Sequence, residues 1–155
     1  MIVLLMGVSG AGKTTLGVPL AGRLGCEFID ADEYHPPENV KKMAAGVPLE
    51  DADRWPWLER LNALLKTKRD AVLACSALKD SYRKKLLEGI PQHRVVYLRG
   101  SAELIGTRLA ERSHRYMPAS LLVSQFATLE PPRDALTVDV SGTPEATLTA
   151  LLARL

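Results

Sequence analysis

Residues 7–14 read GVSGAGKT, a Gly-x-x-x-x-Gly-Lys-Thr pattern whose residue types suit the cradling of a phosphate chain. The glycines at 7, 10 and 12 let the backbone turn tightly and aim its N–H groups inward. The Lys13 ammonium is expected to reach the β- and γ-phosphates of ATP, and the Thr14 hydroxyl to face Mg²⁺. Around them, Gly7, Ser9, Gly10, Ala11, Gly12 and Thr15 are expected to complete the nucleotide loop. A second stretch, DADEYHPPENVKKMAAG at 30–46, sets Asp30 and Asp32 one residue apart. Alternation along an extended segment would point both the same way. One carboxylate is then placed to take a proton from a substrate hydroxyl and the other to help hold the metal through water. Helix capping is the alternative use of an Asp-x-Asp pair. Further on, the planar fork of Arg54 suits a carboxylate, or else a surface pair with a neighbouring aspartate.

These groups need elements to position them. IVLLM at 2–6 is a short continuous apolar run, as in a buried parallel strand, and TTLGVPLAGRL at 14–24 reads as a helix that Gly25 can end. Strand, glycine loop and helix together make an anion site, because the helix N-terminus adds partial positive charge. Pro19 lies inside that helix, deletes a hydrogen bond and costs about 3 kcal/mol, so a kink or compensating packing is expected. CEFI reads as a second strand, which places Asp30 and Asp32 at its carboxyl end, where ligands sit in open α/β sheets. ENVKKMAA reads as a short helix closed by Gly46. In PLEDADRWPWLERLNALLK, the residues Trp57, Leu58, Leu61, Leu64 and Leu65 form one apolar helical face, Pro56 is expected in the first turn, and Asp51, Asp53 and Arg54 sit at its mouth. AVLACSALK, RVVYL and LTVDV read as third, fourth and fifth strands, the third delivering Ser76 and Lys79 to the same sheet edge. AELIGTRLAER is a helix leading into SHRYMP, and the segment 144–155 is a helix that packs on the core or on a partner.

The 155 residues suit one domain with a single sizeable core, and 46% hydrophobic with 25% charged residues is ordinary for a soluble globular protein. A net charge of +2 gives no sign of nucleic-acid or membrane partners, and IVLLM is too short to span a membrane. Cys26 and Cys75 each lie in an apolar segment, as buried free thiols of a reducing, cytoplasmic setting do. A GTPase switch is not supported. TKRD at 67–70 and DVSG at 139–142 match its short motifs, but in reversed order and with TKRD before a strand rather than after one.

The chain resembles the gluconokinases, the ATP-dependent kinases that make 6-phosphogluconate. The resemblance runs over nearly all of it, through GVSGAGKT, DADEYHPPENVKKMAAGVPLEDADRWPWL, CSALKDSYR at 75–83 and YMPASLLVSQFATLEPP at 116–132. It implies an α/β, three-layer P-loop kinase fold like that of shikimate and adenylate kinases, with a five-stranded parallel sheet flanked by helices and a mobile lid. It implies one domain over 1–155, an acceptor-binding helical segment at about 35–66, a lid at about 112–118, and a homodimer. Asp32 then matches the base for the acceptor hydroxyl and Asp30 an outer-sphere Mg²⁺ partner, while His35, Arg54, Lys79 and Arg83 match positions around the acid. Gln125 and Glu130 match the segment after the lid, with Gln125 expected at the substrate. Lid arginines in such kinases stabilise the transferring phosphoryl group, a role that falls to Arg112 and Arg115, with Arg108 expected against adenine. A solvated basic helix face is the other reading of these arginines.

One departure stands out: where Gly-His-Phe or Gly-His-Tyr is expected before Met-Pro, the chain has His114-Arg115-Tyr116, which removes a lid glycine and adds a cation. The rival readings are a shikimate-kinase-like enzyme for another small hydroxy acid and a nucleotide-binding module without turnover. The first lacks its glycine triplet after the third strand, where CSALK stands, and has Trp57 where a glutamate should follow the acceptor arginine. The second is opposed by the intact Lys13, Thr14 and Asp32.

Overall fold

A computed structural model describes residues 1–111 and 119–155. Residues 112–118, where a lid is expected, with the expectations placed on Arg112, His114, Arg115 and Tyr116, lie outside the described residues. Strand β1 (Ile2–Met6) leads through the glycine loop into helix α1 (Lys13–Leu24), then β2 (Glu27–Asp30) and a 3₁₀ turn (Ala31–Tyr34). Helices α2 (Pro37–Ala44) and α3 (Asp51–Lys66) precede β3 (Ala71–Ala74), α4 (Asp80–Leu87) and β4 (His93–Arg99). The chain continues through α5 (Ala102–Ala110), α6 (Ala119–Thr128), β5 (Leu136–Asp139) and α7 (Pro144–Arg154). The five strands form one sheet in the order β2-β3-β1-β4-β5, and every pair is parallel.

Strand alternation divides the core into two layers. Ile2, Leu4 and Met6 of β1 face one side, where Leu58, Leu61 and Leu65 of α3 meet Tyr82 and Leu86 of α4. Val3 and Leu5 face the other, packed with Leu16 and Leu20 of α1, Ile105 of α5 and Leu151 of α7. β1 is buried along its whole length, which is why it reads as an unbroken apolar run. The carboxyl-terminal helix packs on the core, against α1 and β5. No helix among the described residues is long and apolar enough to cross a membrane.

Both internal prolines are accommodated by exposure. α1 runs uninterrupted through Pro19, and Thr15, whose carbonyl loses its usual donor, is exposed with it. Pro56 falls in the second turn of α3 rather than the first, because the helix begins at Asp51. Its start is fixed by Asp53, whose carboxylate accepts from the Glu50 N–H at 2.9 Å, and by first-turn acids that suit the helix dipole. Ala52 and Pro56 are both exposed, so the carbonyl freed by the ring faces water.

Gly17 marks the closest approach of α1 to the sheet. A Cβ there would lie 2.4 Å from Cε1 of Phe28 on β2. Alanine would gain roughly 0.8–1.0 kcal/mol of helix propensity, but overpacking costs about 1–3 kcal/mol. Gly17→Ala is therefore expected to lower the urea midpoint, by roughly 1 kcal/mol net from those two ranges. An unchanged or higher midpoint would show that the Phe28 ring yields freely.

Candidate active site

The glycine loop takes the shape its residues dictate. Gly10 (φ 85) and Gly12 (φ 99) hold left-handed backbone, and a Cβ on Gly10 would also lie 2.7 Å from Cγ of Leu109. No side chain caps the start of α1, and no acidic residue lies in its first turn. The helix end is thereby left to attract an anion. Lys13 folds back over the loop, its Nζ donating to the carbonyls of Gly7 at 2.8 Å and Val8 at 3.0 Å.

A cavity of about 800 Å³ opens over this loop at the carboxyl ends of β1, β2 and β3. Ser9, Gly10, Gly12, Lys13, Thr14 and Thr15 of the loop line it. Asp30, Asp32, His35, Arg54 and Trp57 line it too, with Ser76 and Gln125. The two aspartates reach it differently from the extended alternation expected for them. Residues 31–34 coil into the 3₁₀ turn, which Asp30 caps by accepting from the Asp32 N–H at 3.0 Å. Capping and cavity lining are thus combined in Asp30.

His35 is buried, stacked on Trp57 with ring centroids 4.0 Å apart at 17°. Its Nε2 lies 3.6 Å from Oδ1 of Asp32. Trp57 in turn donates from Nε1 to the Ala31 carbonyl at 2.8 Å, tying α3 to the turn that carries Asp32. Arg54 is fixed by donation from Nη1 to the Leu49 carbonyl (2.6 Å) and to the Tyr82 hydroxyl (3.1 Å), its guanidinium 5.1 Å from the centre of the Tyr82 ring. No ion pair joins it to an aspartate among the described residues, so the surface-pair reading is set aside.

Two expected acceptor residues are placed elsewhere. Lys79 is not at the cavity wall; its Nζ lies 3.3 Å from Oδ1 of Asp51, which also accepts the Tyr82 hydroxyl. The Tyr82 hydroxyl first, and Lys79 after it, hold the Asp51 carboxyl below the usual carboxylate range. Arg83 is buried and likewise off the wall. It donates to the carbonyls of Ala77 (2.8 Å), Leu78 (3.2 Å) and Glu130 (2.9 Å). The cause is the end of β3, which stops at Ala74 so that the chain can turn through Ala77 at φ 44. That turn leaves carbonyls without strand partners, and a buried guanidinium satisfies them. Glu130 belongs to the same tie, its carboxylate accepting from the Asp80 N–H at 2.9 Å.

Gln125 binds the glycine loop itself, accepting from the Ser9 N–H at 2.7 Å and donating to the Ser9 hydroxyl at 3.1 Å. Arg108 lines a small hollow behind the loop with Thr15, Gly142 and Pro144, and donates to the Gly142 carbonyl at 3.3 Å. Cys75 is fully buried, and burial, with Asp32 adding to it, pushes its thiol up to about 12, which rules it out as a nucleophile. Sequence reasoning passed over Asn39, which is buried and donates to His35. The available signal was its spacing: four residues past His35, in the first turn of the short helix that follows the two prolines.

The family model for shikimate kinase matches residues 9–130. A probable gluconokinase of Xenopus tropicalis is 46% identical, the match covering 85% of this chain and 80% of the relative. The thermosensitive gluconokinase of Escherichia coli K12 is 43% identical, covering 89% and 78%. The crystal structure of a gluconokinase from Sinorhizobium meliloti 1021 superposes with a TM-score of 0.91 at 43% identity, over 98% of this chain and 91% of that one.

Proposed function

Since the chain belongs to the gluconokinases, within the wider shikimate kinase family, we propose that it transfers the γ-phosphoryl group of ATP to the terminal hydroxyl of D-gluconate. One observation carries the reading: a single cavity is lined both by Gly12–Thr15 and by Asp32, His35 and Arg54. A donor phosphate and an acceptor acid can therefore share one cavity. A shikimate-like acceptor is not favoured, because curated relatives at 40–48% identity are gluconokinases by name.

Each residue has work that its position allows. Asp32 takes the proton of the acceptor hydroxyl as the new O–P bond forms and the bond to ADP breaks. Lys13 neutralises charge on the phosphates, exchanging the Gly7 and Val8 carbonyls for phosphate oxygens. Arg54 grips the carboxylate of the acid with a fork already oriented by Leu49 and Tyr82. Arg108 lies against the base of the nucleotide, and by resemblance Arg112 and Arg115 serve the phosphoryl group. Thr14 and Asp30 fit Mg²⁺, which binds through few protein ligands and keeps several waters; among the described residues no cluster of three or more acidic, His or Cys groups offers a fuller cage. Bound there, the ion would neutralise charge developing between the β- and γ-phosphates. The family resemblance adds a homodimer, checked by light scattering. The two free thiols accord with a cytoplasmic setting.

ADP release in a coupled assay, with Mg-ATP and D-gluconate, shikimate, AMP or no acceptor, tests the whole reading. Turnover confined to gluconate is expected. Turnover with another acid alone would keep the kinase and discard the acceptor assignment. Arg54→Lys keeps the charge but loses the bidentate fork, and should raise the gluconate KM by roughly tenfold or more with kcat little changed. An unchanged KM would remove Arg54 from the carboxylate.

A further inference from the structure

Asn39 is hydrogen-bonded to one edge of the His35 ring, and the other edge faces Asp32. Asn39, on α2, is 2% exposed, and its Nδ2 is 2.9 Å from the Asp53 carbonyl oxygen. A carbonyl only accepts, so the amide must present its nitrogen to that position. The same Nδ2 lies 3.1 Å from Nδ1 of His35. An amide nitrogen only donates, and therefore Nδ1 must offer its lone pair and the ring proton must sit on Nε2. Nε2 is the atom facing Asp32, 3.6 Å from Oδ1. The Asp53 carboxylate takes no part in these contacts, being engaged by Lys42 at 2.8 Å and by the Glu50 N–H at 2.9 Å.

The ring cannot easily swing out of this arrangement. The His35 side chain is 3% exposed and lies flat on Trp57, whose own N–H is tied to Ala31, next to Asp32. The Asp32 side chain, by contrast, is 66% exposed. A fixed donor at its edge would favour one orientation of the carboxylate, and contacts of this kind commonly shorten once substrate fills the site. A neutral N–H donor orients a carboxylate without laying a full positive charge beside it.

We propose that Asn39 fixes His35 as its Nε2–H tautomer, and that this N–H positions the Asp32 carboxylate toward the acceptor hydroxyl. The inference rests on the reading of Asp32 as base. In it Asn39 and His35 are positioning residues.

The first test is spectroscopic and uses the intact wild-type chain. With three histidines in the sequence, two-bond ¹H–¹⁵N correlation of uniformly ¹⁵N-labelled protein resolves the tautomer of each ring. His35 should show an unprotonated Nδ1 and a protonated Nε2 at the pH of the assay. Asn39→Ala should convert that pattern into a tautomer mixture. The second test is kinetic. His35→Phe keeps a ring against Trp57 but has no donor, and should lower kcat by roughly tenfold or more, with the KM for ATP unchanged within about twofold. His35→Gln can place an amide N–H toward Asp32 and should recover most of that loss.

An Nδ1–H tautomer or an imidazolium in the wild type would overturn the proposal, as would wild-type kcat in His35→Phe. Equal losses in His35→Phe and His35→Gln would also overturn it, since packing alone would then account for both. Failure of the underlying reading looks different: Asp32→Asn would turn over normally while the wild-type tautomer stayed as described, and the positioning role would fall with the base.

Discussion

Lys13→Ala is expected to lower kcat by about 10²–10³ while the far-ultraviolet circular dichroism and thermal midpoint stay close to wild type. The magnitude is that of removing one preorganised charge or donor from a developing anion. The fold should survive because Lys13 belongs to neither core layer; its ammonium donates to the Gly7 and Val8 carbonyls of the loop it serves. Those contacts also say what else will change. Without the ammonium, two loop carbonyls lose a donor, so ATP affinity should fall along with kcat. Lys13→Met, similar in length, should behave alike, because it is the charge that matters. A variant with wild-type kcat would mean that the loop amides alone stabilise the transferring group.

Asp32→Asn is expected to lower kcat by about 10²–10⁴, the usual range for losing a general base. The substitution is informative because it removes the basicity and charge of the group and keeps its shape. An asparagine oxygen can still accept from the His35 Nε2–H, and the side chain is exposed, so no packing is disturbed. ATP binding, followed by calorimetry or a fluorescent analogue, should be nearly unchanged, since Asp32 lies outside the nucleotide loop, in the 3₁₀ turn that follows β2. Normal turnover would remove Asp32 from the base role. Loss of ATP binding would instead assign it to the nucleotide.

What the sequence made legible follows a physical rule. The glycine loop, α1 and β1 were readable because local chemistry determines them: a buried parallel strand, positive-φ positions at Gly10 and Gly12, and an uncapped helix start. Asp30 and Asp32 were readable as cavity residues, although they arrive there through a 3₁₀ turn and not an extended segment. Arg83 was not, because its partners are carbonyls exposed only when the chain after β3 turns at Ala77, a left-handed non-glycine that carries no sequence signal. The place of Pro56 in the second turn was hidden for a similar reason: Asp53 bonding back to the Glu50 N–H moves the helix start upstream. Asn39 was overlooked because a buried amide has no signature of its own; it gains meaning only from what stands four residues before it and across from it on α3.

The sheet order has a consequence for how such an enzyme can diversify. β2 and β3 are adjacent, in register from Glu27↔Ala71 to Asp30↔Ala74, so everything between Asp30 and Ala71 is one crossover that adds no strand. Asp32, His35, Asn39 and Arg54 all lie within it, while Gly10, Lys13, Thr14 and Arg108 lie outside. The groups proposed to meet the acid thus form an uninterrupted cassette, bounded by two paired strands. Recombination or design that exchanged this one cassette could redirect the enzyme to a different hydroxy acid and leave the phosphate-handling half, and the architecture beneath it, as they are.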